Sequence, residues 1–496
     1  MLSNVVRGPF GSSQKLAQQV FVPVVTFSIL VAVYLPPALK TFGRLDDFVA
    51  VAASLEAKPE ALVGIWLSTG RLVPAALGQL VLNHAFSVHE LAVGRSVAVI
   101  LIALTAALFA FWASRLIPGR ATWLTAALAI SFGLVLGSLP AVSSAMYWAI
   151  MAPQLVGLLS AAVAGIALSL DATYSGFGRI FVAGLGVFIS TFSYQSLVFL
   201  ALLPPLVTFG LSRAQKYRSS WQMVVVPASL VSASLVANVL WVVEQGGVGA
   251  SRLGAAPISE TLHWWIRDFL PKAASLSVPN SGMSGLLWAI IALLLLLSPI
   301  TIGRRYLWLV GASLGGISVT ALASLAARET YASHRATMAL EMWIWAGAIF
   351  CGFVTVVSAT YNRRNLQVLV ATSSAVLALL LMKASLDRAV RNIVQPNTTD
   401  WSHSLCAVKA FAELSSKGNA VFVASSMPPG DVEVFSMDEF GLVSSQIPWA
   451  AKYQILSAAS FIGLSSYPAG SVDIVDSTSA NAGDRPFIFL NGSECS

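Results

Sequence analysis

Two adjacent carboxylates, Asp46 and Asp47, stand just after the first long apolar run, in Gly43-Arg44-Leu45-Asp46-Asp47-Phe48. Successive side chains diverge by about 100° in a helix and about 180° in a strand, so the two cannot serve one role. One would face a cavity, where it could take a proton from an acceptor hydroxyl as general base, while the other would be structural. The plainer reading is an acidic flank that marks the end of the first span. The pair could also touch a divalent cation, but two neighbouring carboxylates without further ligands are weak grounds for one. No metal and no other cofactor is expected.

Other polar steps interrupt apolar sequence. Gly70-Arg71 separates two short apolar pieces, and an arginine there could bind a phosphate through two N–H groups or snorkel to the headgroups. Arg328-Glu329-Thr330-Tyr331-Ala332-Ser333-His334-Arg335 packs two guanidiniums, a carboxylate and an imidazole into eight residues. A turn there could close two cations on a diphosphate or lipid phosphate, or be a charged loop with an internal Arg328–Glu329 pair. Tyr194-Gln195 could hydrogen-bond a sugar, or satisfy the backbone of a tight hairpin. Glu341 lies about 9 Å into an apolar run at 1.5 Å per residue, where a carboxylate needs a partner or water. No base lies within one helical turn of it, so its partner must come from another helix.

The elements that must position these groups are set by composition. With 56% hydrophobic and 10% charged residues over 496 positions, most of this surface faces lipid. The net charge of +7 does not point to nucleic acid, because the bases sit in short clusters between apolar runs. Three cysteines without a CxxC pair argue against a metal knuckle or thioredoxin-like site. The chain has no Walker A loop for ATP-driven pumping and no HExxH for a zinc protease.

Eleven spans are expected, at about 18–39, 96–114, 121–139, 151–170, 180–193, 196–212, 221–243, 284–301, 306–327, 336–360 and 366–385. The pair 180–193 and 196–212 is short and could instead be a re-entrant hairpin. With the N-terminus inside, the inner segments hold twelve Lys and Arg residues against one acid, Asp171. That asymmetry predicts an N-in, C-out topology with an uncleaved first helix. The acids, apart from Asp171 and Glu341, then fall outside, in segments 40–95, 244–283, 328–335 and the tail. Residues 1–385 form the membrane domain. Residues 386–496 are expected to fold as a small α/β domain outside, with a helix at Asp400–Leu414 and strands at Ala420–Ala424, Gln454–Leu456 and Phe487–Leu490. Cys406 and Cys495 could pair there or remain thiols.

The doublet Asp46-Asp47 followed by Trp66, Gly70 and Arg71, with Tyr194-Gln195 and the later pair Arg328 and Arg335, resembles the membrane glucosyltransferases of O-antigen modification, the Gtr type II family. The resemblance covers most of the membrane part, although Arg44 before the doublet and Phe48-Val49 after it depart from the family context. It implies a GT-C type architecture in a bacterial inner membrane, with its active face periplasmic. The donor would be a sugar, usually glucose, on polyprenyl phosphate, and the acceptor a surface polysaccharide such as O-antigen. A small flippase and a cytoplasmic-side donor synthase would be its partners. Asp46 or Asp47 would be the base. Arg71, Arg328 and Arg335 are implied candidates for the lipid phosphate; Arg44, Tyr194, Gln195, Glu329, His334 and Glu341 complete the expected substrate-binding set. The alternatives are a flippase or transporter of lipid-linked sugar, centred on Glu341, and a polysaccharide polymerase or ligase.

Overall fold

In a computed structural model of the protein, the described residues are 12–55, 60–82, 87–116, 122–169, 176–214, 222–246, 257–276, 307–326, 334–360, 364–414, 421–424, 444–464, 474–476 and 487–489. The helices, in chain order, are α1 (Ser12–Ala38), α2 (Asp46–Leu55), α3 (Glu60–Ser68), α4 (Leu72–Leu82), α5 (Leu91–Leu116), α6 (Thr122–Gly137), α7 (Pro140–Met146), α8 (Ala152–Ser169), α9 (Gly176–Ser193), α10 (Leu203–Ala214) and α11 (Gln222–Gln245). They continue with α12 (Ile258–Trp264), α13 (Leu270–Leu276), α14 (Leu307–Ala326), α15 (His334–Thr360), α16 (Arg364–Ala389), α17 (Gln395–Leu414) and α18 (Pro448–Phe461).

The chain is an α-helical polytopic membrane protein. Among the described residues, six helices are long and apolar enough to cross a bilayer, or seven if the pair α6–α7, bent by 64°, is one span. Ten of the eleven expected spans fall on helices; the other, 284–301, lies outside the described residues. The expected span 180–193 is long enough to cross, as Gly176–Ser193, whereas 196–212 is a shorter apolar helix that opens with a 3-10 segment, Gln195–Leu202. Many Val, Leu, Ile and Phe side chains on the crossing helices remain exposed, as a lipid-facing surface requires.

The expected domain boundary at 385 falls inside a helix. Asn365–Ala412 is helical for 48 residues, with one π-helical turn at Val390–Val394. At 1.5 Å per residue it reaches about 72 Å, against a hydrocarbon core of about 30 Å. Its second half must leave the membrane, and it carries Asp400, Trp401 and Cys406 with it.

Strands β1 (Val421–Ala424), β2 (Ile474–Asp476) and β3 (Phe487–Phe489) form a parallel sheet in the order β2-β1-β3, with Phe422 opposite both Ile474 and Ile488. The strand expected at Gln454–Leu456 is instead part of α18. Ala450, Ala451, Gln454, Ile455, Ala458 and Ala459 are buried. That spacing is a helical stripe which a three-residue window does not reveal, and Pro448 opens the helix where no N–H is needed.

Two hydrophobic cores matter for the site. The larger one fills the bundle. The smaller joins Phe48 and Val51 of α2 to Trp401, Val408 and Phe411 of α17 and to Ile455 of α18. Phe48 stacks on Trp401 with ring centres 5.7 Å apart. The helix that begins at the aspartate doublet is therefore packed into the tail.

Candidate active site

The doublet opens α2, so its two carboxylates stand in a helical first turn, where the exposed N–H groups favour negative charge. Their surroundings differ. Asp47 is fully buried: its Oδ1 accepts the N–H of Ile150 at 2.9 Å and its Oδ2 accepts the N–H of Arg44 at 3.1 Å. Burial pushes its pKa up to about 6, against the opposing pull of Arg95, the Ile150 amide and Arg44. Asp46 is only partly buried. One helical step separates a structural carboxylate from one that keeps access to its surroundings.

The loop that feeds the doublet is held from several sides. Arg95, wholly buried near the start of α5, donates through Nε to the Ala38 carbonyl at 2.9 Å and through NH1 to the Phe42 carbonyl at 2.6 Å. It also donates to the Lys40 carbonyl, and its guanidinium lies 4.0 Å from the centre of the Phe42 ring. A cation thus closes the C-terminal end of α1, where orphan carbonyls and the helix dipole both call for one.

Arg44 is wholly buried too. Its NH1 donates to the Ser144 carbonyl at 3.0 Å and its guanidinium covers Trp148 at 4.7 Å. With Asp47 beside it, this arginine is turned into the protein and braces the loop. Leu45 between them has φ of +31°, the one non-glycine residue with positive φ among those described. A side chain in that region is strained, and such strain persists only where neighbours enforce it. Here Leu45 donates its N–H to Ser444 Oγ at 2.9 Å, and its carbonyl accepts Phe48 N–H at 3.1 Å.

A second cluster unites two steps that are far apart in sequence. α3 and α4 meet at Thr69-Gly70-Arg71, and Gly70 has φ of +73°. Pro74 sits in the first turn of α4, where its missing N–H costs nothing. Gln195 Nε2 donates to the Thr69 carbonyl at 2.8 Å and to Asn238 Oδ1 at 3.1 Å. Asn238 Nδ2 donates to the Gly70 carbonyl at 2.8 Å, and Trp241 Nε1 to the Leu67 carbonyl at 3.2 Å. Arg71 lies 4.9 Å over the Tyr194 ring, partly buried. Gln195 is thus engaged as a clamp on the turn, while Arg71 and Tyr194 form a cation–aromatic pair.

Glu341 is fully buried. Its Oε2 accepts the Ala141 N–H at 3.2 Å and its Oε1 the Thr337 hydroxyl at 2.9 Å. The Ala141 N–H belongs to the first turn of α7, just past the 64° bend, so the carboxylate caps that helix from a neighbouring one. At the other end of the same buried segment, Arg44 holds Ser144 and Asp47 holds Ile150. His334 and Arg335 begin α15; Arg328 and Glu329 lie outside the described residues. Cys406 is disulfide-bonded, and Cys495 lies outside the described residues. Among the described residues no group of three or more His, Cys, Asp or Glu is gathered as a metal site.

Both clusters lie at one end of the bundle: the C-terminal ends of α1, α9 and α11 and the N-terminal ends of α5 and α8. Arg95, Asn238, Trp241, Asp400 and Ser444 were not anticipated. Arg95 and Asn238 leave a trace in the sequence, as lone polar residues at the edge of apolar runs.

No protein-family model matches the chain, and no curated protein matches it. Among solved structures, it is similar to ArnT from Cupriavidus metallidurans bound to undecaprenyl phosphate, with 11% identity over 94% of this chain and 90% of that chain and a TM-score of 0.44.

Proposed function

We propose that the chain is a GT-C type glycosyltransferase that moves a sugar, glucose in the first instance, from a polyprenyl-phosphate carrier to a surface polysaccharide such as O-antigen. The observation that carries this reading is the division of labour in the doublet. Asp47 is consumed by two backbone amides between two arginines, and Asp46, one position earlier, keeps part of its surface open at the end of a membrane helix. A polyprenyl-linked donor stays in the bilayer, so a base for its reaction belongs at such a boundary.

In this mechanism the Asp46 carboxylate takes the proton of the acceptor hydroxyl. The acceptor oxygen attacks the anomeric carbon, and the bond from that carbon to the phosphate oxygen breaks, the phosphate leaving with the electron pair. A cation near the phosphate stabilises that charge; Arg71, seated on Tyr194, is the described candidate, and Arg335 opens α15 as a second. One displacement inverts the anomeric centre. No cofactor is required.

The assigned place is a bacterial inner membrane with the reaction at its periplasmic face, served by a cytoplasmic-side donor synthase and a small flippase. The disulfide at Cys406 supports an oxidising compartment for the tail, and the basic inner loops support the same orientation. Purified protein supplied with synthetic polyprenyl-phosphate glucose and acceptor polysaccharide should transfer the sugar, and Asp46→Asn should not. A flippase centred on Glu341 is the less favoured reading, because both oxygens of that carboxylate are engaged by Thr337 and Ala141.

A further inference from the structure

The strained residue before Asp46 is held from outside the membrane domain. Leu45 is buried, has φ of +31°, and gives its N–H to the hydroxyl of Ser444, which lies in the tail 399 residues later. Ser444 belongs to a short 3-10 turn, Ser444–Gln446, buried throughout. That turn is fixed by Asp400 of the protruding helix α17. The fully engaged Asp400 carboxylate accepts the Ser445 N–H at 3.3 Å, the Ser445 hydroxyl, and Gln454 Nε2 at 2.8 Å. The next residue, Trp401, stacks on Phe48 of the doublet helix. Two neighbouring residues of α17 thus reach the doublet by separate routes, one through hydrogen bonds to the loop before it and one through an aromatic stack to the helix after it.

A carboxylate buried in the tail has no evident purpose for membrane insertion. Burying it is costly unless its oxygens are filled. The groups that fill them hold in place the hydroxyl that meets Leu45. We propose that the C-terminal domain is part of the active site: Asp400 and Ser444 are positioning residues that hold Leu45 in its left-handed conformation and so aim Asp46. The proposal rests on the reading of Asp46 as the base.

The test uses the full-length protein in detergent or nanodiscs, with donor-dependent transfer and hydrogen–deuterium exchange of the peptide covering residues 42–48 measured on the same samples. Ser444→Ala removes the acceptor for Leu45 and should speed exchange in that peptide by roughly five- to tenfold, the loss of one hydrogen bond. It should lower kcat by roughly tenfold while KM for the donor lipid stays within about twofold. Asp400→Ala should act in the same direction, and Asp400→Asn, which keeps one acceptor oxygen, should fall between it and wild type. The proposal is overturned if Ser444→Ala leaves kcat unchanged, or if kcat falls with no change in exchange at 42–48. Retained transfer by Asp46→Asn would instead remove the base assignment, while the exchange result would still report whether the tail holds the loop.

Discussion

Asp47 Oδ1 accepts the backbone N–H of Ile150 at 2.9 Å, joining the loop after the first membrane helix to a segment 103 residues later. Ile150 lies in the short 3-10 turn that leads into α8, directly after Trp148, which Arg44 covers. The acid, the arginine and the buried segment form one unit, and Asp46 is carried at its edge.

That unit makes stability depend on pH in a definite direction. Asp47 has its pKa raised from 3.8 to about 6 by burial. A raised carboxylate contributes most to stability when protonated, below about pH 4, and that contribution is lost as pH rises through about 6. The shift corresponds to about 3 kcal/mol across that window. Thermal unfolding of wild type, compared with Asp47→Asn from pH 4 to 8, should show the wild type losing stability relative to the variant up to about pH 6 and a flat difference above it. A difference that is constant through the whole range would contradict the assignment.

The Gly70 turn gives a second expectation. A Cβ at Gly70 would come within 2.7 Å of Asn238 Nδ2 and 2.8 Å of Val242 Cγ2, at a φ of +73°. Gly70→Ala should destabilise the protein by about 2 kcal/mol, from backbone conformation and overpacking together. Asn238→Ala frees the Gly70 carbonyl and should cost about 1–2 kcal/mol. Because both changes act on one contact, the double variant should lose less than the sum of the two. Strict additivity in chemical or thermal unfolding would show that the contact is not shared.

Glu341 separates transfer from lipid flipping. Glu341→Gln keeps an oxygen for one of the two donors, Thr337 or Ala141, and should reduce stability by about 1–2 kcal/mol while leaving transfer measurable. Glu341→Leu leaves the α7 N-terminus uncapped and should cost more. Fluorescent-lipid scrambling in proteoliposomes should be the same for wild type and Glu341→Gln. Loss of scrambling in the variant, with Asp46→Asn scrambling normally, would favour the transporter reading.

The membrane helices were legible in the sequence because each is a long apolar run, and lipid leaves the backbone little alternative to a helix. That the two aspartates of the doublet meet different surroundings was legible, since helix geometry alone separates adjacent side chains. Which of them is buried was not, because Asp47 is held by the Ile150 N–H, whose proximity depends on how α1, α5 and α8 pack. The inward turn of Arg44 is tertiary in the same way, since Ser144 and Trp148, which draw it into the protein, are far from it in sequence. The meeting of Gly70-Arg71 with Tyr194-Gln195 is equally tertiary, since it runs through Asn238. In the tail, a strand as short as Ile474–Asp476 carries almost no periodic signal, and three apolar-edged residues of α18 look the same in sequence as a strand of that length.

The central claim is that Asp46 acts on substrate while Asp47 holds the loop. Single-turnover transfer from synthetic polyprenyl-phosphate glucose, measured for wild type, Asp46→Asn and Asp47→Asn beside their melting temperatures, tests it most directly. Asp46→Asn should lose at least ~10³-fold in rate, within the range for a general base, with melting near wild type. Asp47→Asn should melt lower, because its single amide oxygen can accept only one of the N–H groups of Ile150 and Arg44, and should retain some transfer. Normal transfer by Asp46→Asn, or loss of transfer by Asp47→Asn at unchanged stability, would contradict the account.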